Sequence, residues 1–324
     1  MKKTAVLSMV LALSLSACSP QIHLDFLGQD RIEEITLLAS RAKDKILVVD
    51  IEGVLSSTAG SSPLSREGNI LSQVYLRLEK AAEDPDIKGI IMRLETPGGE
   101  VAISDIIYNE VLKFKQKTRR PVLALMMSAA ASGGYYIASA CDYLIAHPMS
   151  VTGSIGVISV FPDMASLLGK IGVGVNVVKS GRMKDAGSPF RSMDEAEKKI
   201  FQEMIDEYYE RFLDVVYKGR REAISRETLH QIGDGRIYTA KQALELKLID
   251  EIGYFDSALK KILTMAGLHE ARVIAYSYYP KTRTNLYAAA RKEDLTVEFG
   301  KLENLLPNLK SGFYYLWLPG GEKD

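Results

Sequence analysis

From residue 31 onward, hydrophobic positions fall into short runs of two periods. Ile32, Ile35, Leu38 and Ala39 lie at helical spacing and predict a helix over 31–45, whereas Ile-Leu-Val-Val-Asp-Ile at 46–51 reads as a buried strand. The Ser/Gly-rich stretch 56–65 builds no core and reads as a mobile loop. Val74, Leu78, Ala81 and Ala82 predict a helix over 71–83, closed by Pro85, and a strand follows at 89–94. A helix over 103–114 puts Ile103, Ile107, Val111 and Phe114 on one side, and strands at 122–127 and 143–146 flank a helix opening at Gly133. Strands are also expected at 155–160 and 173–178, before a long amphipathic helix over 194–216 that carries Ile200, Met204, Tyr208, Phe212 and Val215. Alternating strands and helices imply parallel pairing with crossover helices, hence an α/β fold. After about residue 268 the pattern loosens. Tyr276, Tyr278, Tyr279 and the run Phe313-Tyr-Tyr-Leu-Trp-Leu318 read as an aromatic tail that packs on a neighbouring subunit or a sheet edge, or on membrane.

Composition narrows the classes. The 324 residues balance 41 Lys+Arg against 41 Asp+Glu with 47% hydrophobic content, which excludes disorder and leaves no basic surface for nucleic acid. Residues 1–17 stand apart, because Lys2 and Lys3 precede an apolar run too short to span a bilayer comfortably. That run ends Leu15-Ser-Ala-Cys18, which resembles a bacterial lipobox, in which the cysteine is lipidated and becomes the new N-terminus; an ordinary export signal with Cys18 incidental is the alternative. A lipidated Cys18 makes the chain a lipid-anchored protein of the cell envelope, water-soluble beyond its anchor. Ser19 after it points to an outer membrane, facing the periplasm, in a diderm cell and to the outer face of the plasma membrane in a monoderm. Cys141, the other cysteine, is then left without a disulfide partner in the chain and reads as a small buried hydrophobe. His23, His147, His230 and His269 show no metal-ligand spacing, and none is locally marked as a catalytic base.

Three glycine-rich turns follow apolar strands, the places where open α/β sheets form ligand sites. In Pro97-Gly98-Gly99-Glu100, the glycines let bare backbone approach a ligand and successive N–H groups can hold an anion; the same residues also make an ordinary turn. In Ala131-Ser132-Gly133-Gly134, a serine leaves a strand and opens a helix, as either a nucleophile beside the Gly133 N–H or a plain N-cap. A serine nucleophile needs a base, and a desolvated lysine supplies one; the turn at 179–189 offers Lys179 and Lys184.

Taken together these segments resemble the signal peptide peptidase A family of serine-lysine proteases. Gly181-Arg-Met-Lys184-Asp matches the family's base motif, Ala131-Ser132-Gly-Gly-Tyr-Tyr its nucleophile motif and Thr152-Gly-Ser154-Ile-Gly-Val its following strand motif. The likeness runs from about residue 46 to 263 and includes Gly235-Arg-Ile-Tyr-Thr-Ala-Lys and Leu248-Ile-Asp-Glu-Ile-Gly. It implies Ser132 as nucleophile, Lys184 as general base, Ser154 as the residue orienting the lysine, and the N–H groups of Gly99 and Gly133 as the oxyanion hole. Lys179 does not match the base position. The resemblance also implies a Clp protease/crotonase-like fold of ββα units, no metal or organic cofactor, apolar peptide substrates including remnant signal peptides, and a homo-oligomeric ring in which one subunit's lysine serves its neighbour's serine. One departure is the acidic Glu95-Thr96 before the glycine turn, with Glu100 after it, where the family usually has Asn-Ser or Asp-Ser. A carboxylate beside a lysine favours the charged form, opposite to what a base needs.

The expected organisation is a lipoprotein signal at 1–17, a tether and helix at 18–45, a peptidase core at 46–267 and a packing or oligomerisation extension at 268–324. Two other readings compete with the peptidase. A crotonase-like acyl-CoA enzyme would share the oxyanion turn but not need the Ser132/Lys184 pair, and a non-catalytic peptide-binding or scaffolding lipoprotein would keep the fold alone.

Overall fold

The computed structural model describes residues 32–57, 69–277 and 313–317. Cys18, the signal segment and most of the loop expected at 56–65 lie outside these residues. Among the described residues no helix is long and apolar enough to cross a membrane.

In chain order, β1 (Glu33–Leu38) and β2 (Lys45–Glu52) precede α1 (Ile70–Glu83), β3 (Ile87–Thr96), β4 (Gly98–Glu100) and α2 (Val101–Thr118). Next come β5 (Val122–Ala131), α3 (Gly133–Ala138), β6 (Tyr143–Ala146), β7 (Val151–Gly153), α4 (Ala165–Lys170) and a 3-10 turn at Arg182–Asp185. The rest is α5 (Glu195–Arg220), α6 (Arg226–Ile232), β8 (Ile237–Thr239), α7 (Ala240–Glu245), β9 (Glu251–Ile252), α8 (Phe255–Met265), β10 (Arg272–Ser277) and β11 (Tyr314–Leu316).

The result is a mixed α/β fold around a large central sheet, ordered β1-β10-β2-β3-β5-β6-β9, with β7 on the far part of β5 and β8 on β7. From β10 to β9 every neighbour is parallel; β1 and β8 run antiparallel to theirs. The inner strands read as unbroken apolar runs because both sheet faces are covered. On one face Leu47, Val49, Ile90 and Met92 meet α1, α2, α3 and α5; on the other Ile46, Val48, Ile91 and Leu123 meet Phe255, Ala258 and Ile262 of α8.

Two expectations are corrected. The helix predicted over 31–45 is the edge strand β1, paired antiparallel with β10 from Glu33↔Ser277 to Leu38↔Val273. β-Branched Ile32, Ile35 and Thr36 suit a strand, and an open sheet edge overrides weak helical spacing. The strands expected at 155–160 and 173–178 do not form as ladders: only Ile158 makes a bridge, to Tyr314, and Val173, Val175, Val177 and Val178 stand exposed. Alternation marks a run as able to pair but does not supply a partner.

Candidate active site

The site grows from a fork in β5. Its first half pairs with β6, and its last residues, Ala129–Ala131, leave β6 for β7 after a register shift against β3 between Leu94 and Thr96. Such a bulge re-aims a strand end. Ser132 follows with φ +54° and ψ −115°, a strained conformation for a residue with a Cβ. The surroundings hold it there: Ser132 N–H donates to the Gly153 carbonyl at 2.8 Å, and its own carbonyl accepts from Tyr136 N–H at 2.8 Å.

Ser132 heads α3 without capping it; among the described residues its buried Oγ has no hydrogen-bond partner. The N-cap alternative is thereby removed. A strained strand-to-helix turn that presents an unpartnered hydroxyl is how a nucleophile is displayed. Helix α3 is fixed by its two tyrosines, with Tyr135 Oη donating to Leu248 O at 2.7 Å and Tyr136 Oη to Asp105, which also accepts from Arg211 Nη2 at 2.8 Å. Burial pushes both phenols well above the usual tyrosine range, so they remain donors.

The glycine turn is organised by Thr96, whose Oγ1 donates to Gly53 O at 2.6 Å and accepts from Gly98 N–H at 3.0 Å. Gly98 has φ +99°, and a Cβ there would lie 2.1 Å from the Tyr315 carbonyl oxygen and 2.6 Å from the Gly133 nitrogen. Only glycine fits this point, where the two turns come within a side chain's width of each other. Leu55 takes one edge of β4: its N–H donates to Gly98 O and its carbonyl accepts from Glu100 N–H, both at 2.8 Å. The Gly99 N–H and C=O therefore face the opposite edge.

That edge is covered by β11. It runs antiparallel with Tyr315 opposite Gly99, between the bonds Val101 N–H to Phe313 O at 3.3 Å and Trp317 N–H to Pro97 O at 2.8 Å. In such a ladder these flanking bonds make Tyr315–Gly99 a bonded pair, so the Tyr315 carbonyl faces the Gly99 N–H. The Tyr315 ring is fully buried against Tyr136 and Phe212, with its hydroxyl on Tyr208 O at 2.8 Å. On its other side Tyr314 exchanges 3.0 Å backbone bonds with Ile158.

Ser132, Gly133, Gly98, Gly99 and Ser154 thus meet at one end of the sheet. Ser154 follows the Gly153 that receives Ser132 N–H; it is buried, with φ +51°, and its own N–H donates to Arg236 O at 2.8 Å. Lys184 lies elsewhere, exposed on the 3-10 turn, and among the described residues no hydrogen bond or ion pair joins it to Ser132 or Ser154. Lys179 gives its ammonium to Asp185 at 2.6 Å and to Arg182 O at 3.0 Å. Glu95 accepts from Ser128 N–H at 2.9 Å, and Glu100 from Ser56 Oγ at 2.8 Å and Ser57 N–H at 3.0 Å, so local donors hold both acids. Cys141 is buried, which pushes its thiol up to about 12 and leaves it unreactive. Sequence reasoning missed Leu55, and it marked Thr96 and Tyr315 without their roles, Thr96 only as part of the departure before the glycine turn and Tyr315 only within the aromatic run.

Residues 114–269 match the profile of Peptidase family S49. The chain is 37% identical over 251 residues to a putative signal peptide peptidase SppA of Enterococcus faecium, covering 78% of this chain and 72% of that protein. Protease 4 of Haemophilus influenzae is 34% identical over 239 residues, and the chain spans only 37% of its length. The chloroplastic serine protease SPPA of Arabidopsis thaliana is 28% identical over 291 residues, 89% of this chain and 39% of that one.

Proposed function

Because the chain belongs to the signal peptide peptidase A family of S49 peptidases, we propose that it is a serine peptidase that cleaves extended apolar peptides by a Ser132–Lys184 dyad. Neutral Lys184 takes the Ser132 Oγ proton as the oxygen attacks the scissile carbonyl, and the Gly99 and Gly133 N–H groups receive the oxyanion. The lysine then protonates the leaving amine, and water, activated by the same lysine, hydrolyses the ester. Ser154, beside the nucleophile, orients the lysine. The single observation that carries this reading is the strained, buried Ser132, whose hydroxyl has no partner among the described residues, next to the glycine turn. An acylating serine probe tests it: mass spectrometry of the assembled protein is expected to place the adduct on Ser132. No adduct there would return the chain to a peptide-binding role.

Lys184 reaches Ser132 from a neighbouring copy. In support, it sits on an exposed arm with exposed Ile158, Val160, Leu167, Val173 and Phe190, an apolar surface of the kind that packs between subunits. A ring of such contacts makes each site shared. Lipidated Cys18 holds the assembly at a membrane of the cell envelope, where remnant signal peptides are substrates of fitting chemistry.

Substrate binds by adding a strand to β4, the edge that β11 now takes. A chain ending at residue 312 is therefore expected to show a KM for apolar peptides lowered by about tenfold, the effect of removing a competing strand. Its Tm falls as well, since the buried Tyr315 ring is lost. An unchanged KM in a folded, assembled truncation would place the substrate on another edge.

A further inference from the structure

The turn that carries Lys184 is tied to the start of α5 by two guanidinium groups, that of Arg182, whose Nη2 donates to Asp194 Oδ2 at 2.8 Å, and that of Arg191. Arg191 grips the neighbouring Asp185 at two points, Nε to Oδ2 at 3.0 Å and Nη2 to Oδ1 at 2.8 Å, and Nη2 also donates to the Asp185 carbonyl at 3.1 Å. Its other side holds Glu197, with Nη1 on Oε2 at 2.8 Å and Nη2 on Oε1. The Glu197 side chain is 1% exposed and forms a capping box with Asp194 at the start of α5, whose Phe212, Val215 and Val216 pack in the core. The exposed base turn is thereby riveted to the rigid body of the protein.

We infer that Arg191 is a positioning residue for the base: it keeps the Asp185 carboxylate, immediately after Lys184, turned away from the lysine ammonium. This rests on Lys184 being the base. The charges around the turn balance in pairs, with Lys179, Arg182 and Arg191 set against Asp185, Asp194 and Glu197, and Asp163 beyond them accepts from Ser192 Oγ at 2.7 Å. Removing Arg191 leaves three carboxylates, Asp185, Asp194 and Glu197, against two cations, and leaves Asp185, the residue next to the base, held by Lys179 alone. The bonds from Arg191 and Lys179 hold the Asp185 carboxyl far below the usual carboxylate range, so it is charged at any working pH. Without the Arg191 fork it is free to turn toward Lys184, where a carboxylate favours the protonated, inactive form of the lysine.

The test is the pH dependence of kcat in the full-length assembled protein for Arg191→Ala, Arg191→Lys, Asp185→Asn and the double variant Asp185→Asn/Arg191→Ala. In Arg191→Ala the acidic limb is expected to move up by about one pH unit, so that kcat below the limb falls about tenfold, with KM little changed. Arg191→Lys, which keeps the cation but not the fork, lies between it and the parent. In the double variant the limb returns to the parental position, because the charge that displaced it is gone. A limb that stays put in Arg191→Ala, or stays displaced in the double variant, overturns the inference. If Arg191→Ala does not assemble, Asp185→Asn decides: a limb unmoved or lower supports the inference, and one moved up defeats it. Full turnover in Lys184→Ala would instead remove the base assignment beneath it.

Discussion

Ser132→Ala is expected to abolish peptide turnover, lowering kcat/KM by about 10⁴-fold or more, while the folded protein becomes no less stable. The two effects are linked. Among the described residues the hydroxyl is buried without a partner, and an unsatisfied buried polar group costs about 1–3 kcal/mol, so deleting it relieves the fold as it removes the nucleophile. Ser132→Gly goes further, because glycine accepts φ +54° without the strain carried by a Cβ. Calorimetry beside kcat/KM on the same samples gives both readouts. A Ser132→Ala protein that turns over peptide at the parental rate would mean that another residue is the nucleophile.

Lys184→Ala is expected to lose turnover by about 10³-fold or more, the scale of removing a general base or triad member. Its Tm should stay at the parental value, since the side chain is exposed and, among the described residues, bonded to nothing near the nucleophile. A shared site adds a sharper outcome. When the Ser132→Ala and Lys184→Ala proteins are dissociated, mixed in equal amounts and reassembled, activity is expected to return to about a quarter of the parental rate, the random-mixing value for sites built by two neighbours. A mixture as inactive as its components, at unchanged assembly size, would mean that each subunit supplies both groups.

The sheet was legible because its inner strands are buried on both faces and leave continuous runs such as Ile46 to Ile51. Long helices were legible from spacing, and the one expected over 194–216 occupies Glu195–Arg220 behind an Asp194 cap. Where an outcome depended on distant partners, local pattern failed. The segment 31–45 became a strand because β10 lay open beside it, and 173–178 stayed unpaired because the fold offered it no neighbour. The site shows the same division. Ser132, Gly98, Gly99 and Gly133 were visible as turn chemistry. The Leu55 ladder, the Thr96 hydroxyl that sets the turn and the Tyr315 carbonyl against Gly99 depend on contacts between segments far apart in the chain. Those contacts leave no local mark.

The strand laid on β4 also bears on solubility. A glycine edge open enough to pair with any extended polypeptide is an open edge in the aggregation sense as well, a row of donors and acceptors on which unfolded chains can add and from which fibrils can grow. Tyr314–Leu316 closes that row between β4 and Ile158, and its aromatic ring is locked into the core behind it. The strand thus keeps an aggregation-prone backbone edge hidden.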